Sequence, residues 1–149
     1  KFQQSGGDLP TVHRALVEAA QPWQSVLSKY KSPEDFMISA YRAFRFVPKD
    51  VRALFRAMEQ LGQPTYRPGS PAGWPDTADH WGGADALYKR IEWADAASEY
   101  ASRVSNPVDV GKEVLGVAFS ENTRKAVSRA ESLVQGTTLL LVSADFQRR

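Results

Sequence analysis

Residues 84–104 read A-D-A-L-Y-K-R-I-E-W-A-D-A-A-S-E-Y-A-S-R-V, which is the longest helical pattern in the chain. Apolar side chains recur there every three or four residues, as they do on one face of an α-helix. Additional aromatic and small residues widen this face, so the pattern predicts a central helix with packing partners on more than one side. The residues predicted to face inward are Leu87, Tyr88, Ile91, Trp93, Ala94, Ala97, Tyr100 and Val104.

Two shorter helical patterns precede the central helix. Ser32, followed by a proline and two acids, is typical of a helix start, and Pro48 limits this first helix. The second helix begins at about Asp50 and stops at Gly62, so we expect the two to form a helical hairpin. The apolar positions of the second helix are Val51, Leu54, Phe55, Met58 and Leu61.

The C-terminal part predicts three more helices. One covers residues 108–116, and the next starts at Ser120, places Leu133 inward and is broken by Gly136. Residues 137–146 have strand propensity, but no second strand candidate exists to satisfy their backbone groups. We therefore predict that they form a short buried helix.

At the N-terminus, residues 1–7 are a polar arm, Asp8 caps a helix, and a short apolar piece follows at 23–30. The fold class is therefore predicted to be all-α, an irregular bundle of about six to eight helices. Residues 1–149 form one domain. An ordered Pro/Gly/Trp-rich loop at 63–83 joins the hairpin to the central helix.

Composition excludes several classes of protein. The chain has 149 residues, 42% of them hydrophobic, which is enough for one globular core without disulfides. With no cysteine, it has no thiol nucleophile and no cysteine zinc site. The net charge of +2 does not indicate nucleic-acid binding. The longest apolar run, Leu139–Val142, is far shorter than the roughly 20 residues of a membrane span.

The loop contains a cluster of acids with one histidine: Asp76, Asp79, His80 and Asp85. Such side chains could hold a divalent cation or supply an acid/base pair, although their spacing matches no known metal loop. The alternative, which we favour, is that the aspartates make turns after Pro75 and support a helix N-terminus. No cofactor is predicted.

The same loop carries three aromatic residues, Tyr66, Trp74 and Trp81, among its prolines. They could form a platform for a glycan or a proline-rich peptide. The favoured alternative is that Trp74 is buried and holds the loop onto the helices.

No residues have the spacing of a catalytic motif, because the nearest candidate, at Gly69–Gly73, lacks one residue before Ser70. A series of basic residues offers a possible binding stripe, or a face paired internally with Glu92, Asp95 and Glu99. The series is Arg42, Arg45, Lys49, Arg52 and Arg56.

Five segments together resemble a known family. They are SPEDFMISAYRAF (32–44), LGQP (61–64), PAGWP (71–75), WGGADALYKR (81–90) and LLVSADFQRR (140–149). In order and spacing they resemble the C-terminal part of the bacterial proteins grouped as domain of unknown function 1800. The resemblance implies a longer, helix-rich parent protein that is exported to the periplasm or beyond, with this chain as its C-terminal portion. The family offers no established activity to carry over.

Two functions are compatible with these observations. The leading hypothesis is a non-catalytic interaction or scaffold domain whose partner is the remainder of the parent polypeptide. The alternative is a glycan- or metal-dependent site, for binding or hydrolysis, centred on residues 63–83.

Overall fold

The structure, a computed structural model, describes residues 1–19, 29–46, 48 and 50–149. These residues form nine α-helices and no β-strand, which confirms the all-α prediction. Two of the helices are single turns, so the seven longer ones fall within the expected range. Most of the piece predicted at 23–30 lies outside the described residues. The helices are α1 (Leu9–Glu18), α2 (Pro33–Ala43), α3 (Val51–Gln60), α4 (Ala78–Trp81), α5 (Ala84–Ala101), α6 (Pro107–Leu115), α7 (Glu121–Ser128), α8 (Leu133–Val142) and α9 (Ala144–Gln147).

The start of α2 shows why local sequence predicts helix ends. The Ser32 hydroxyl accepts a hydrogen bond from the Asp35 backbone N–H at 3.2 Å. In return, the Asp35 carboxylate accepts one from the Ser32 backbone N–H at 3.4 Å. This reciprocal pair satisfies two N–H groups that the helix itself leaves unbonded. Asp8 caps α1 through its carboxylate, which accepts a hydrogen bond from the Thr11 backbone N–H. Both predicted starts are confirmed.

The central helix α5 packs most extensively against α8, and its Trp93 contacts the rings of Phe36 and Tyr41 from α2. The predicted inner face is wrong in detail, because α5 buries small residues and one arginine there. Small side chains allow two helix backbones to lie close together, whereas large apolar ones keep them apart. The buried residues are Arg90, Ala94, Ala97, Ser98 and Ala101. Exposed instead are Leu87, Tyr88, Ile91, Tyr100 and Val104.

Gly136 lies inside α8, so the prediction that it breaks a helix is wrong. The break occurs earlier, between α7 and α8, and Leu133 begins α8 with Ser132 as its cap. A Cβ atom at position 136 would lie 3.0 Å from Pro107 Cγ of α6. The glycine is therefore explained by close packing. The predicted helix over the following residues is confirmed as part of α8.

Helices α2 and α3 meet in one hydrophobic core rather than along an extended interface of their own. Phe36 and Met37 come from α2, Phe44 directly follows α2, and Met58 comes from α3. Leu54, Ala57 and Met58 are the side chains of α3 that reach this core. Two residues predicted to point inward from α3 are exposed instead. These residues are Val51 and Phe55.

Arg90 joins three separate parts of the chain. Its side chain is almost fully buried and donates to Gln147 Oε1 at 2.6 Å and to the Lys31 carbonyl oxygen at 2.7 Å. Gln147 in turn donates through Nε2 to the Leu141 carbonyl oxygen. We call these contacts the Arg90 network. It closes the bundle by tying α5 to the C-terminal residues and to the segment before α2.

The segment before α2 also pairs with the C-terminal residues through their backbones. Tyr30 and Arg148 form a single antiparallel bridge, with hydrogen bonds between Lys29 and Arg149 on one side of it. On the other side, the Lys31 backbone N–H donates to the Gln147 carbonyl oxygen at 2.9 Å. The sequence offered no partner strand for this part of the chain, and a bridge this short has no recognisable pattern.

Candidate functional site

Residues 63–83, the predicted site, form a segment that includes the single turn α4. At its start, the buried Gln63 side chain accepts a hydrogen bond from the Glu34 backbone N–H at 2.9 Å. Tyr66 adopts a left-handed backbone conformation with φ of 57° and is 95% exposed. The segment is thus attached to α2 at one end and projects an aromatic side chain into solvent.

Trp81 is the buried tryptophan of this segment, a role that the sequence analysis assigned to Trp74. Trp81 is 3% exposed, and its indole N–H donates to the Pro75 carbonyl oxygen at 2.8 Å. Trp74 is only half-buried, and its ring centre lies 6.0 Å from that of Trp81 at an interplanar angle of 51°. The two ring planes are therefore tilted against each other rather than coplanar.

The four residues proposed as metal ligands are not brought together. Asp76 forms an ion pair with Lys29 at 2.6 Å, and Asp85 forms one with Lys89 at 2.6 Å. Asp79 and His80 are exposed on α4. Among the described residues, no three His, Cys, Asp or Glu side chains are arranged to hold a metal ion. Asp85 does lie in the first turn of α5, as the alternative interpretation expected.

The basic series does not act as a single stripe. Arg45 pairs with Glu113 of α6 at 2.8 Å, and Arg56 pairs with Asp50 at 3.5 Å. Neither pairs with the acids of α5 that the sequence offered as partners. Lys49 lies outside the described residues. Within the described part of the chain, Arg42 makes no hydrogen bond or ion pair through its side chain.

A groove of about 470 Å³, which the sequence analysis did not predict, lies beside the Arg90 network. It is lined by one face of α2, by α6 and by both sides of the Tyr30–Arg148 bridge. We call it the α2–α6 groove. Its lining includes Asp35, Ile38, Arg42, Val114, Lys31 and Arg149.

Lys31 is the most unusual residue of the α2–α6 groove. It is only 8% exposed, and its ammonium nitrogen lies 4.2 Å above the centre of the Phe146 ring. Burial lowers the pKa of Lys31 to about 8, against the opposing effect of the Asp35 carboxylate, and nearby Arg149 and Arg90 lower it further. The sequence gives no sign that Lys31 is buried, because a solvent-exposed lysine just before a helix cap would have the same local sequence.

Asp35 does not neutralise Lys31, because its carboxylate has other partners. It accepts from the Ser32 hydroxyl at 2.9 Å and pairs with Arg149 at 3.2 Å. Among the described residues, the Lys31 ammonium group makes no hydrogen bond or ion pair. Since no fully buried side-chain nitrogen among them lacks a partner, the Lys31 nitrogen still touches solvent. The groove therefore combines a largely buried lysine with an exposed arginine, Arg42, and neither is paired within the described part of the chain.

The described residues thus define an all-α domain in which no arrangement of side chains indicates catalysis. None of its helices is long and apolar enough to cross a membrane, as far as the described residues extend. The chain belongs to the family described as Protein of unknown function (DUF1800), whose sequence profile matches residues 1–148. Neither the curated proteins nor the solved structures contain a match to the chain.

Proposed function

We propose that this chain is a non-catalytic helical interaction domain, and that its partner is the remainder of a longer parent polypeptide. The observation that carries this proposal is the outer face of α5. Leu87, Tyr88 and Ile91 lie within about one helical turn of each other, and all three are exposed. We call them the α5 apolar face.

The α5 apolar face lies on a helix that takes part in the largest single helix–helix interface of the fold, the one with α8. The sequence predicted partners for α5 on more than one side, and α8 and α2 supply those on its inner side. Large apolar side chains grouped on a helix surface lower the free energy of a protein when a partner covers them. A covering partner therefore accounts for side chains that the packing of this domain leaves in solvent.

Helix α1 supports the same proposal. It has ten residues, none of which is buried, although Leu9, Val12 and Leu16 lie on one face. An isolated helix of this length is only marginally stable in water, so α1 gains stability when its apolar face packs against another surface. Two helices of one domain thus present apolar side chains outward.

The test is to mix the 149-residue chain with the separately expressed remainder of the parent and to measure their affinity by calorimetry. We expect association, and we expect the double variant Leu87→Ser/Ile91→Ser to weaken it by about tenfold or more, because each buried aliphatic side chain contributes about 1.5–3 kcal/mol. The melting temperature of the chain alone falls only in part, since Leu87 and Ile91 are 39% and 40% exposed and the remainder of each side chain is already covered in the fold. The variant is therefore compared at a temperature at which it is fully folded.

Val117→Ser is the matched control, because Val117 is a fully exposed aliphatic residue outside the α5 apolar face. It leaves the affinity unchanged. Absence of association, or equal weakening by the control, contradicts the proposal. Self-association of the chain through the same face makes a second copy the partner instead. The family resemblance also supports export of the parent, which fractionation of cells expressing a tagged parent tests.

A further inference from the structure

We infer that the α2–α6 groove binds a small organic acid. Lys31 and Arg42 contact its anionic head, a carboxylate or a phosphate, and Ile38 and Val114 contact its apolar body. This inference is independent of the interaction proposed for α5, which lies on a different surface of the domain.

The unpaired ammonium group of Lys31 is the first reason. Burying most of a lysine side chain without a partner is unfavourable, because its charge loses much of its contact with water. Here the residue is 8% exposed, its nitrogen still reaches the solvent of the groove, and no described carboxylate lies within ion-pair distance. The Phe146 ring offers only a cation–π contact at 4.2 Å. An anion in the groove would offset this desolvation.

The charge balance of the groove is the second reason. Lys31, Arg42 and Arg149 face a single carboxylate, that of Asp35. Asp35 already forms an ion pair with Arg149 and accepts a hydrogen bond from the Ser32 hydroxyl. Among the described residues, the charges of Lys31 and Arg42 therefore remain unpaired. A guanidinium group and an ammonium group together suit an oxyanion, to which both donate charge-assisted hydrogen bonds.

The rigidity of Lys31 is the third reason. Its backbone N–H donates to the Gln147 carbonyl oxygen at 2.9 Å. Its carbonyl oxygen accepts from Arg90 at 2.7 Å. The residue is thus held on both sides before any ligand arrives, which reduces the entropy lost on binding.

The size and the apolar wall of the groove indicate an organic ligand rather than an inorganic ion. Its volume of about 470 Å³ lies within the range of small-molecule sites. Ile38 of α2 and Val114 of α6 line it, and both are nearly half exposed. Covering them with the body of a ligand adds hydrophobic free energy that a bare phosphate or chloride ion cannot supply.

Binding to the 149-residue chain is measured by NMR titration with hexanoate, hexyl phosphate, inorganic phosphate and hexanol. We expect saturable binding of hexanoate or hexyl phosphate, or of both, at concentrations up to about 10 mM, and clearly weaker binding of the other two. The stronger of the two acids identifies the head group. If neither acid binds, or if inorganic phosphate binds as tightly as hexyl phosphate, the inference is wrong.

Variants test the residues involved. Arg42→Gln weakens binding of the acid by about tenfold or more, as expected for the loss of a charged hydrogen-bond donor. Arg52→Gln, which changes an exposed arginine on α3, is the matched control and leaves the affinity unchanged. Arg42 is exposed, so its replacement does not endanger folding. If Arg42→Gln bound the acid as tightly as the unmodified chain does, this groove would be excluded as the site.

The variant Lys31→Met tests whether the pH dependence of binding comes from Lys31. A purely structural role of Lys31 would not produce such a dependence. A bound anion favours the ammonium form of Lys31. The affinity of the unmodified chain for the acid therefore falls as the pH rises through about 8, the pKa of Lys31. The charged groups that act on Lys31 are Asp35, Arg149 and Arg90, and Arg42 lines the same groove. In Lys31→Met this pH dependence disappears. Its persistence in the variant would show that Lys31 does not contact the anion.

Discussion

At the scale of the residue, Trp81 and Trp74 differ in burial, although both lie in the segment 63–83. Trp81 is covered on its ring faces and has its indole N–H bonded to the Pro75 carbonyl oxygen. A buried tryptophan needs such an acceptor, since an unbonded N–H would cost the desolvation of that group. Trp74 is half-buried beside it. The tryptophan that holds the segment in place is therefore Trp81.

This difference predicts the effects of two alanine variants on stability. Trp81→Ala lowers the free energy of unfolding by about 3–5 kcal/mol, as expected for removal of a buried ring. Trp74→Ala lowers it by clearly less, because its ring is partly solvated in the folded state. Urea unfolding curves of both variants give the comparison. Equal losses, or the larger loss for Trp74→Ala, would mean that Trp81 does not hold the segment.

At the scale of the element, α8 depends on a glycine that its neighbours require. Gly136 lies where α8 crosses α6, with Pro107 Cγ 3.0 Å and the Val127 carbonyl oxygen 3.4 Å from the position of an added Cβ. Glycine within a helix costs about 1 kcal/mol relative to alanine. The close approach of the helices at this point offsets that cost, because it allows their other side chains to pack.

Gly136→Ala tests this explanation. In an unhindered helix the substitution would stabilise the protein, but here we expect a loss of about 1 kcal/mol from overpacking against Pro107. Thermal unfolding measures the change. Adding Pro107→Ala removes the contacting Cγ atom. The double variant should therefore lose less stability than the two single variants lose together. Additive effects, or a stabilising Gly136→Ala, would contradict the steric argument.

At the scale of the whole molecule, the Arg90 network holds together parts of the chain that are far apart in sequence. Arg90 of α5 donates to Gln147, after α8, and to Lys31, before α2. Its guanidinium group also lies 4.7 Å from the Tyr30 ring centre and 5.2 Å from that of Phe36. A planar group with several donors can satisfy two separate acceptors while it stacks on rings. The network also positions Lys31 in the α2–α6 groove.

Arg90→Met should therefore destabilise the protein by about 3 kcal/mol or more, because two buried acceptors lose their donor. Arg90→Lys should also lose stability, since an ammonium group cannot reproduce the two-armed geometry. Urea unfolding gives the free energies. Hydrogen exchange should show faster opening at the backbone N–H groups of Lys31 and Arg149, which are bonded across the bridge. Unchanged stability and exchange would mean that the bundle closes without Arg90.

The sequence predicted features that depend on neighbouring residues. The cap at Ser32 uses atoms only three residues away, so its signature is visible in the chain itself. The length and position of α5 follow from periodicity in the same way. The candidate site was predicted less well, because ion pairs such as Asp76 with Lys29 join residues far apart in sequence. Lys31 had no signal at all, since its burial depends on the Phe146 ring and the C-terminal residues.

By itself, the sequence determined the all-α class, most helix positions and the family, because caps, breakers and apolar periodicity are local properties. Only the tertiary structure decided which face of α5 is buried, why Gly136 lies inside a helix, and which tryptophan is covered. Each of these three features depends on which segment, distant in sequence, packs against the residue. Many side chains are apolar enough to be buried, but only those opposite a packing partner lose their contact with water.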